Sequence, residues 1–401
     1  MAKFDAMKTT VLVAWLAAAV ALPAVAQRIR LPASLPDLEQ AARKDSNDAA
    51  AHYNVALAYW NEKRWEDVDS ALHRAIRLDP RFAAAYMALA GLPYAQRDQL
   101  LQEEYEQRVP EAWRPKVIQS NQMYRQAVLI DPLVEVRMGY ILLPDFGKFP
   151  ASLRLMYGDW IEDYVEGQTL YFQAKYHEAF VRFQRVYNEL DATAHPNRLL
   201  NYMLFWHGLA AAQDSQHNDA VWDFGRILSR YETEEVSTRD STLRVPLRTN
   251  EFRYIYAVMS QRAGKFNEAI DHFRRALQDD IGFYMAHVHL AQIYESHGMM
   301  PQAVSERRAA VNANPDDASL LMELGQTLAR GNRWSEAEQA LREAVAANAR
   351  DPRPRYFLGI VLQHLNKSAE ARAVFTDFVN LAPSRYARQV ADAKQRLGSL
   401  R

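Results

Sequence analysis

The sequence predicts an all-α protein made of repeated helical hairpins, and three observations carry that prediction. Glycine is scarce, 14 residues in 401, about half its usual share of ~7%. Alanine, leucine, glutamate, glutamine and arginine abound instead, and these residues lose little freedom in a helix. Third, the segments KFNEAIDHF, MPQAVSERR, RWSEAEQAL and SAEARAVF align on Ala269, Ala303, Ala337 and Ala371, each 34 residues after the last. A fixed period of this length marks a chain in which one helix-turn-helix unit stacks on the next.

The register assigns the other positions. A small residue of the first helix falls at Ala257, Ala291, Gly325 and Gly359, and a large residue of the second at Phe273, Arg307, Leu341 and Phe375. Small side chains at a helix crossing let two backbones approach, and a bulky neighbour fills the space beside them. Ala276, Ala310, Ala344 and Phe378 come next, then the terminating Pro315 and Pro383. Arg307 and Phe378 depart from the pattern, so looser or partly solvent-facing junctions are expected there. With these positions the chain resembles the tetratricopeptide repeat (TPR) family. The resemblance implies a right-handed α-solenoid of about eight units with insertions.

In chain order, residues 1–26 read as a signal peptide. Lys3 and Lys8 precede the apolar run TVLVAWLAAAVALPAVA, which ends in Ala24-Val25-Ala26. The run is broken by Pro23 and, at about 17 residues, is short for a membrane span of roughly 20. Its removal takes Lys3, Asp5 and Lys8 away and moves the net charge from −1 to −2. No later stretch is apolar enough to cross a bilayer, so a soluble periplasmic or secreted protein is expected.

Residues 27–47 follow as a linker with a short helix. Residues 48–157 hold two repeats: HYNVALAYWNEKRWEDVDSALHRAIRLDP places Ala56, Tyr59, Val68, Leu72, Ala75 and Pro80 on the template. The second starts at AAAYMALAGL, is interrupted, and resumes at SNQMYRQAVLIDP. Residues 158–249 hold two more, with Gly167, Ala179 and Phe183, then Gly208, Ala220 and Phe224, followed by a loop. Residues 250–383 hold the four most regular repeats, and the amphipathic 384–401 reads as a closing helix. Of the interruptions, the apolar Val136–Gly158 either folds back into the interior or presents a patch to a partner. The polar Glu232–Phe252 is expected as a solvated linker or small hairpin.

Chemistry is sparse. Cysteine is absent, which excludes disulfides, thiolate metal sites, a cysteine nucleophile and a lipid-modified cysteine. The near-neutral charge gives no electrostatic reason to expect nucleic acid. HExxH, GxSxG, GxxxxGK[ST] and GxGxxG do not occur. The stretch MAHVHLAQIYESHG carries His287, His289 and His297, but no pair has the i, i+3 or i, i+4 spacing that puts two imidazoles on one helix face. They read as scaffold, and no metal, cofactor or catalytic residue is expected.

The resemblance implies a concave surface lined by the first helix of each unit. It assigns Tyr53, Trp60, Tyr202, Phe205, Tyr254, Arg262, Gln292, Met322, Arg330, Tyr356 and His364 to that lining. Rings and guanidinium groups suit an extended peptide or an amphipathic helix, but a tightly wound superhelix would bury the same rings as core. Both roles stay open for each tyrosine. The lysines and asparagines with which related domains clamp acidic chaperone tails are replaced here by residues such as Tyr53 and Leu57. The expected function is an exported, non-enzymatic scaffold for a protein or peptide partner in envelope assembly or secretion. A structural subunit of an envelope or extracellular oligomer, and an enzyme with a site built from the inserted loops, stay open as alternatives.

Overall fold

One turn, repeated, sets the architecture. Lys63 (φ 58°), Ala174 (φ 56°), Ser215 (φ 64°), Gly264 (φ 74°), Gly298 (φ 71°), Asn332 (φ 58°) and Asn366 (φ 58°) all adopt the left-handed conformation. Each follows the first helix of a repeat, and the last four are spaced by the 34-residue period. The next residue donates its N–H five residues back, as Arg64 does to Tyr59 O (3.0 Å) and Arg333 to Leu328 O (2.9 Å). This Schellman ending satisfies the last helical carbonyls while reversing the chain, so the next helix returns antiparallel. The opposite turn uses acidic caps: Asp48 Oδ1 accepts from Ala50 N (3.0 Å) and Asp317 Oδ1 from Ser319 N (2.9 Å).

The structure, a computed structural model, describes residues 31, 33–97, 99–105, 107–134, 160–192, 198–233, 249–280 and 282–400. Regular structure among them is helical, without strands. No described helix is long and apolar enough to cross a membrane. The expected signal peptide, the Val136–Gly158 segment and most of Glu232–Phe252 lie outside the described residues.

The helices run α1 (Leu35–Lys44), α2 (Ala49–Asn61), α3 (Trp65–Leu78), α4 (Ala83–Gln96), α5 (Leu100–Tyr105) and α6 (Arg114–Ile130). Then come α7 (Trp160–Phe172), α8 (Tyr176–Ala192), α9 (Arg198–Gln213), α10 (His217–Glu232), α11 (Thr249–Arg262) and α12 (Phe266–Asp279). The last are α13 (Tyr284–Ser296), α14 (Met300–Ala313), α15 (Ala318–Arg330), α16 (Trp334–Ala347), α17 (Arg353–His364), α18 (Ser368–Leu381) and α19 (Ala387–Ser399).

Two compact units form. The described part of the first spans Ala83–Ala269; the second joins Leu31–Phe82 to Ile270–Arg401. In the first, α4 pairs with α6, α7 with α8 and α9 with α10, while α9 packs on α8 and α11 on α10. The short α5 lies in sequence between α4 and α6. Ser120 still reaches across that pair, donating its hydroxyl to Ala90 O at 2.6 Å. In the second unit α1 packs on α2, and α2 pairs with α3. There α13 pairs with α14, α15 with α16 and α17 with α18, and α19 closes the series on α18 through the fully buried Ala393.

The register holds. Ala269, Ala303, Ala337 and Ala371 are all 0% exposed, as are Phe273, Leu341 and Phe375. A Cβ built on Gly325 would lie 2.6 Å from Leu341 Cγ, and one on Gly208 would lie 2.9 Å from the Phe224 ring. Two expectations need correction. Arg307 (4% exposed) and Phe378 (1%) are buried rather than partly solvent-facing. Phe378 packs against Tyr356, with ring centroids 5.3 Å apart, and Arg307 is enclosed by carboxylates.

Candidate partner-binding surface on the C-terminal repeats

The first helices α13, α15 and α17 belong to successive hairpins of the second unit, and the family resemblance implies a partner on this side of them. Glu295 near the end of α13 holds two neighbours together. Its Oε2 accepts from Arg330 Nη1 on α15 at 2.6 Å, and its Oε1 accepts from Arg307 Nε on α14 at 3.2 Å and from the Thr327 hydroxyl. Arg307 Nη1 in turn donates to Glu323 Oε2. Glu323 Oε1 accepts from Arg81 Nη1 (2.7 Å), and Arg81 Nε donates to Asp317 Oδ2 (2.9 Å). The order Arg330, Glu295, Arg307, Glu323, Arg81, Asp317 alternates charge at every step. Alternation gives a guanidinium as enclosed as Arg307 a carboxylate on either side, since a lone buried charge is strongly disfavoured.

The outer end of this chain reaches solvent. The Arg330 side chain is 52% exposed although paired, and Gln292 and His364 are exposed on α13 and α17. The His364 ring lies on Trp334 at the start of α16, centroids 4.1 Å apart and planes 10° apart. Gln292, Arg330, Trp334 and His364 thus present hydrogen-bond donors and acceptors, a cation and a stacked ring pair across three consecutive repeats. A peptide backbone and an acidic or aromatic side chain are the groups that such a surface can hold.

The remaining expected lining residues divide by burial. Tyr53 (6%), Trp60 (3%), Phe205 (8%), Tyr254 (0%) and Met322 (7%) are core, so no partner can touch their side chains in this conformation. Tyr53 sets its ring edge against Phe82 (5.2 Å) and Phe205 against Phe224 (5.9 Å). Tyr254 donates its hydroxyl to Leu129 O at 2.7 Å. Tyr356 is partly buried and donates to Asp392 of the closing helix at 2.8 Å. Arg262 is exposed on α11 in the first unit. The Tyr202 side chain lies outside what the structure describes. Packing within each unit therefore makes most of the expected aromatic anchors core, and the expected lining residues that stay exposed are polar.

The three histidines of α13 and its end serve local packing. His287 Nδ1 meets Glu306 Oε2 at 2.7 Å, His289 stacks on Phe273 at 5.2 Å, and His297 Nδ1 contacts Ile293 O at 2.8 Å. Among the described residues no three histidine or carboxylate side chains are grouped to hold a metal ion. A hollow of about 410 Å³ opens on α14 beside Ser305, Arg308, Asn312 and Arg333. Glu336 bonds both of its arginines, at 2.7 Å and 2.6 Å.

Sequence reasoning missed a buried polar group in the first unit. His207 on α9 places Nδ1 2.6 Å from Asp223 Oδ2 on α10 and Nε2 3.1 Å from Gln184 Oε1 on α8. Asp223 is 0% exposed. Burial pushes its carboxyl up to about 6, with His207 pulling the other way. The signal was present, because His207 and Asp223 are 16 residues apart, the spacing that joins Gly208 to Phe224.

The family model described as tetratricopeptide repeat matches residues 24–67, 260–318, 300–352 and 322–386. No curated protein matches the chain. Among solved structures, it is similar to the C-terminal part of a TPR repeat-containing protein from Cytophaga hutchinsonii. Identity there is 13% and the TM-score 0.46, over 58% of this chain and 85% of that one. It is also similar to yeast Tom70, at 12% identity and TM-score 0.35, over 90% and 91%. Over residues 24–67 and 260–386, this chain carries repeats of the tetratricopeptide type.

Proposed function

We propose that this protein is an exported, non-enzymatic scaffold that binds a protein or peptide partner through its C-terminal repeats. The observation that carries the reading is the set of exposed residues Gln292, Arg330 and His364 on three successive first helices, with the partly buried Trp334 stacked under His364 and Arg330 fastened by Glu295. Helix pairs hold these groups at fixed spacing, so a bound segment meets an already ordered surface and loses less freedom on binding. The arginine favours an acidic or carboxylate-bearing segment, and the stacked Trp334–His364 pair offers a platform for an aromatic or apolar side chain. The positively flanked apolar run of residues 10–26 supports export to the periplasm or beyond.

The test pairs wild type with an Arg330→Ala, His364→Ala variant. A partner is captured from the native envelope, identified by mass spectrometry, purified and titrated against both proteins. Loss of one exposed charged anchor and one stacked ring should weaken binding by roughly tenfold or more, with the circular dichroism melt unchanged. Equal affinity for both proteins would remove this surface as the binding site.

A further inference from the structure

The second unit contains an arginine site that is already filled, and its occupant is the chain itself. Arg81 lies 236 residues from Asp317 and 242 from Glu323 in sequence, yet donates to both carboxylates. Its side chain is 14% exposed, and that of Asp317 2%. The occupant is the turn Leu78-Asp79-Pro80-Arg81-Phe82. Asp79 Oδ1 accepts from Arg81 N (3.2 Å) and Asp79 O from Phe82 N (3.1 Å), so the turn holds its own shape. Around it, Arg353 approaches Asp79 at 3.6 Å, Arg385 pairs with Asp48 at 2.9 Å, and Ser384 Oγ donates to Asp45 Oδ2 at 2.7 Å. These contacts are polar, and beside them the Phe82 ring meets Tyr53 at 5.2 Å.

The fit is incomplete. Arg81 Nη2 is buried without an acceptor among the described residues. A buried donor left in that state costs about 1–3 kcal/mol, so this arginine is held less firmly than two carboxylates can hold one. Tethering compensates, because a segment on the same chain acts at an effective concentration of roughly millimolar.

We propose that Asp317 and Glu323 form a binding site for arginine-bearing peptide segments, and that Arg81 occupies it as a displaceable competitor in cis. The ligand class is a short segment that presents a guanidinium group from a turn. Binding of such a segment, supplied by a partner, releases the Leu78–Phe82 turn from the starts of α15 and α17. Arg330 connects to this site through Glu295 and Arg307, so the peptide test changes only Arg81 and Glu323 and leaves Arg330 and His364 in place.

The test uses the full chain and the synthetic peptide IRLDPRF, which copies Ile76–Phe82. Fluorescently labelled, it is titrated into wild type and into Arg81→Ala. The emptied site should take the peptide roughly tenfold more tightly than wild type, where the tethered turn competes. A peptide with alanine for the arginine that copies Arg81 should not bind, whereas alanine for the one that copies Arg77 should leave binding intact. Adding Glu323→Gln to Arg81→Ala should weaken binding again. Amide exchange in the first turns of α15 and α17 should quicken in Arg81→Ala and slow when the peptide is added. If Arg81→Ala does not fold, Arg81→Lys replaces it, since lysine keeps the charge but loses the two-pronged fork. A folded variant that binds no better than wild type, or binding indifferent to the peptide arginine that copies Arg81, overturns the proposal.

Discussion

Gly359 on α17 and Phe375 on α18 share one space: a Cβ added to the glycine would lie 2.6 Å from Cε1 of the ring and 2.7 Å from Cζ. Phe375 is 0% exposed, so its ring has nowhere to go. Replacing a helical glycine by alanine ordinarily gains about 1 kcal/mol, whereas overfilling a packed core costs roughly 1–3 kcal/mol. The clash involves three ring carbons, so the second effect should win. Gly359→Ala is expected to lose up to about 2 kcal/mol in urea unfolding. Gly398 on α19 has nothing within 4 Å of its would-be Cβ. Gly398→Ala should gain a few tenths of a kcal/mol, because the helix end is where propensity counts least.

Arg307 stands where Leu341 and Phe375 stand in the following two repeats, and it is as enclosed as they are. Arg307→Ala empties that space and leaves Glu295 and Glu323 without a shared cation. A loss of about 3–5 kcal/mol is expected, the range for breaking one partner out of a buried pair. Arg307→Leu refills the space, and Arg330, Thr327 and Arg81 still satisfy the two glutamates. It should cost clearly less than alanine. Glu323 is bonded by both Arg307 and Arg81, so Arg307→Ala and Arg81→Ala should not be additive. A double-mutant cycle is expected to show a coupling of about 1 kcal/mol.

The period, the hairpins and the alanine core were legible because each depends on sterics between helices that the sequence repeats. Ala269, Ala303, Ala337 and Ala371 need only their neighbours in register to be buried. The fate of the aromatic lining was not legible. Tyr254 becomes core because Leu129 O, 125 residues earlier, comes to meet its hydroxyl, and no local pattern encodes that meeting. Arg307 was misplaced for the same reason, since its burial depends on Glu295 and Glu323 from two other helices. Of the candidate surface, Gln292, Arg330 and His364 were named from the family resemblance. Trp334 was missed because it opens a second helix, which the repeat template does not assign to the lining.

Asp223 makes stability depend on pH in a direction opposite to most carboxylates. Its folded-state pKa is raised from 3.8 to about 6, so between these values the folded state holds a proton that the unfolded state has lost. Its contribution is most favourable below about pH 4, declines as pH rises to about 6, and is flat above. Asp223→Asn removes this dependence. The variant's stability relative to wild type should therefore rise between pH 4 and pH 6.5 by on the order of 2–3 kcal/mol. Urea titrations at several pH values measure the difference, and a constant offset between the two proteins would contradict it.

The left-handed turn residues offer a stabilising change. In an L-residue the Cβ crowds the following carbonyl in this conformation, at a cost of roughly 1–2 kcal/mol. Gly264 and Gly298 avoid the cost, and asparagine tolerates it better than most, as at Asn332 and Asn366. Ala174, at φ 56° with no polar side chain to compensate, meets it in full. Its N–H donates to Tyr171 O at 3.0 Å, and Lys175 N closes the turn on Leu170 O at 3.0 Å; neither bond involves the methyl group. Ala174→Gly keeps both bonds and removes the crowding. Part of the gain is returned to the more flexible unfolded chain, so a net stabilisation of about 0.5–1 kcal/mol is expected. Asn332→Gly should gain less. Thermal or urea unfolding of the two variants side by side checks the order, and an equal or larger gain at Asn332 would show that the turn is not limited by Cβ crowding.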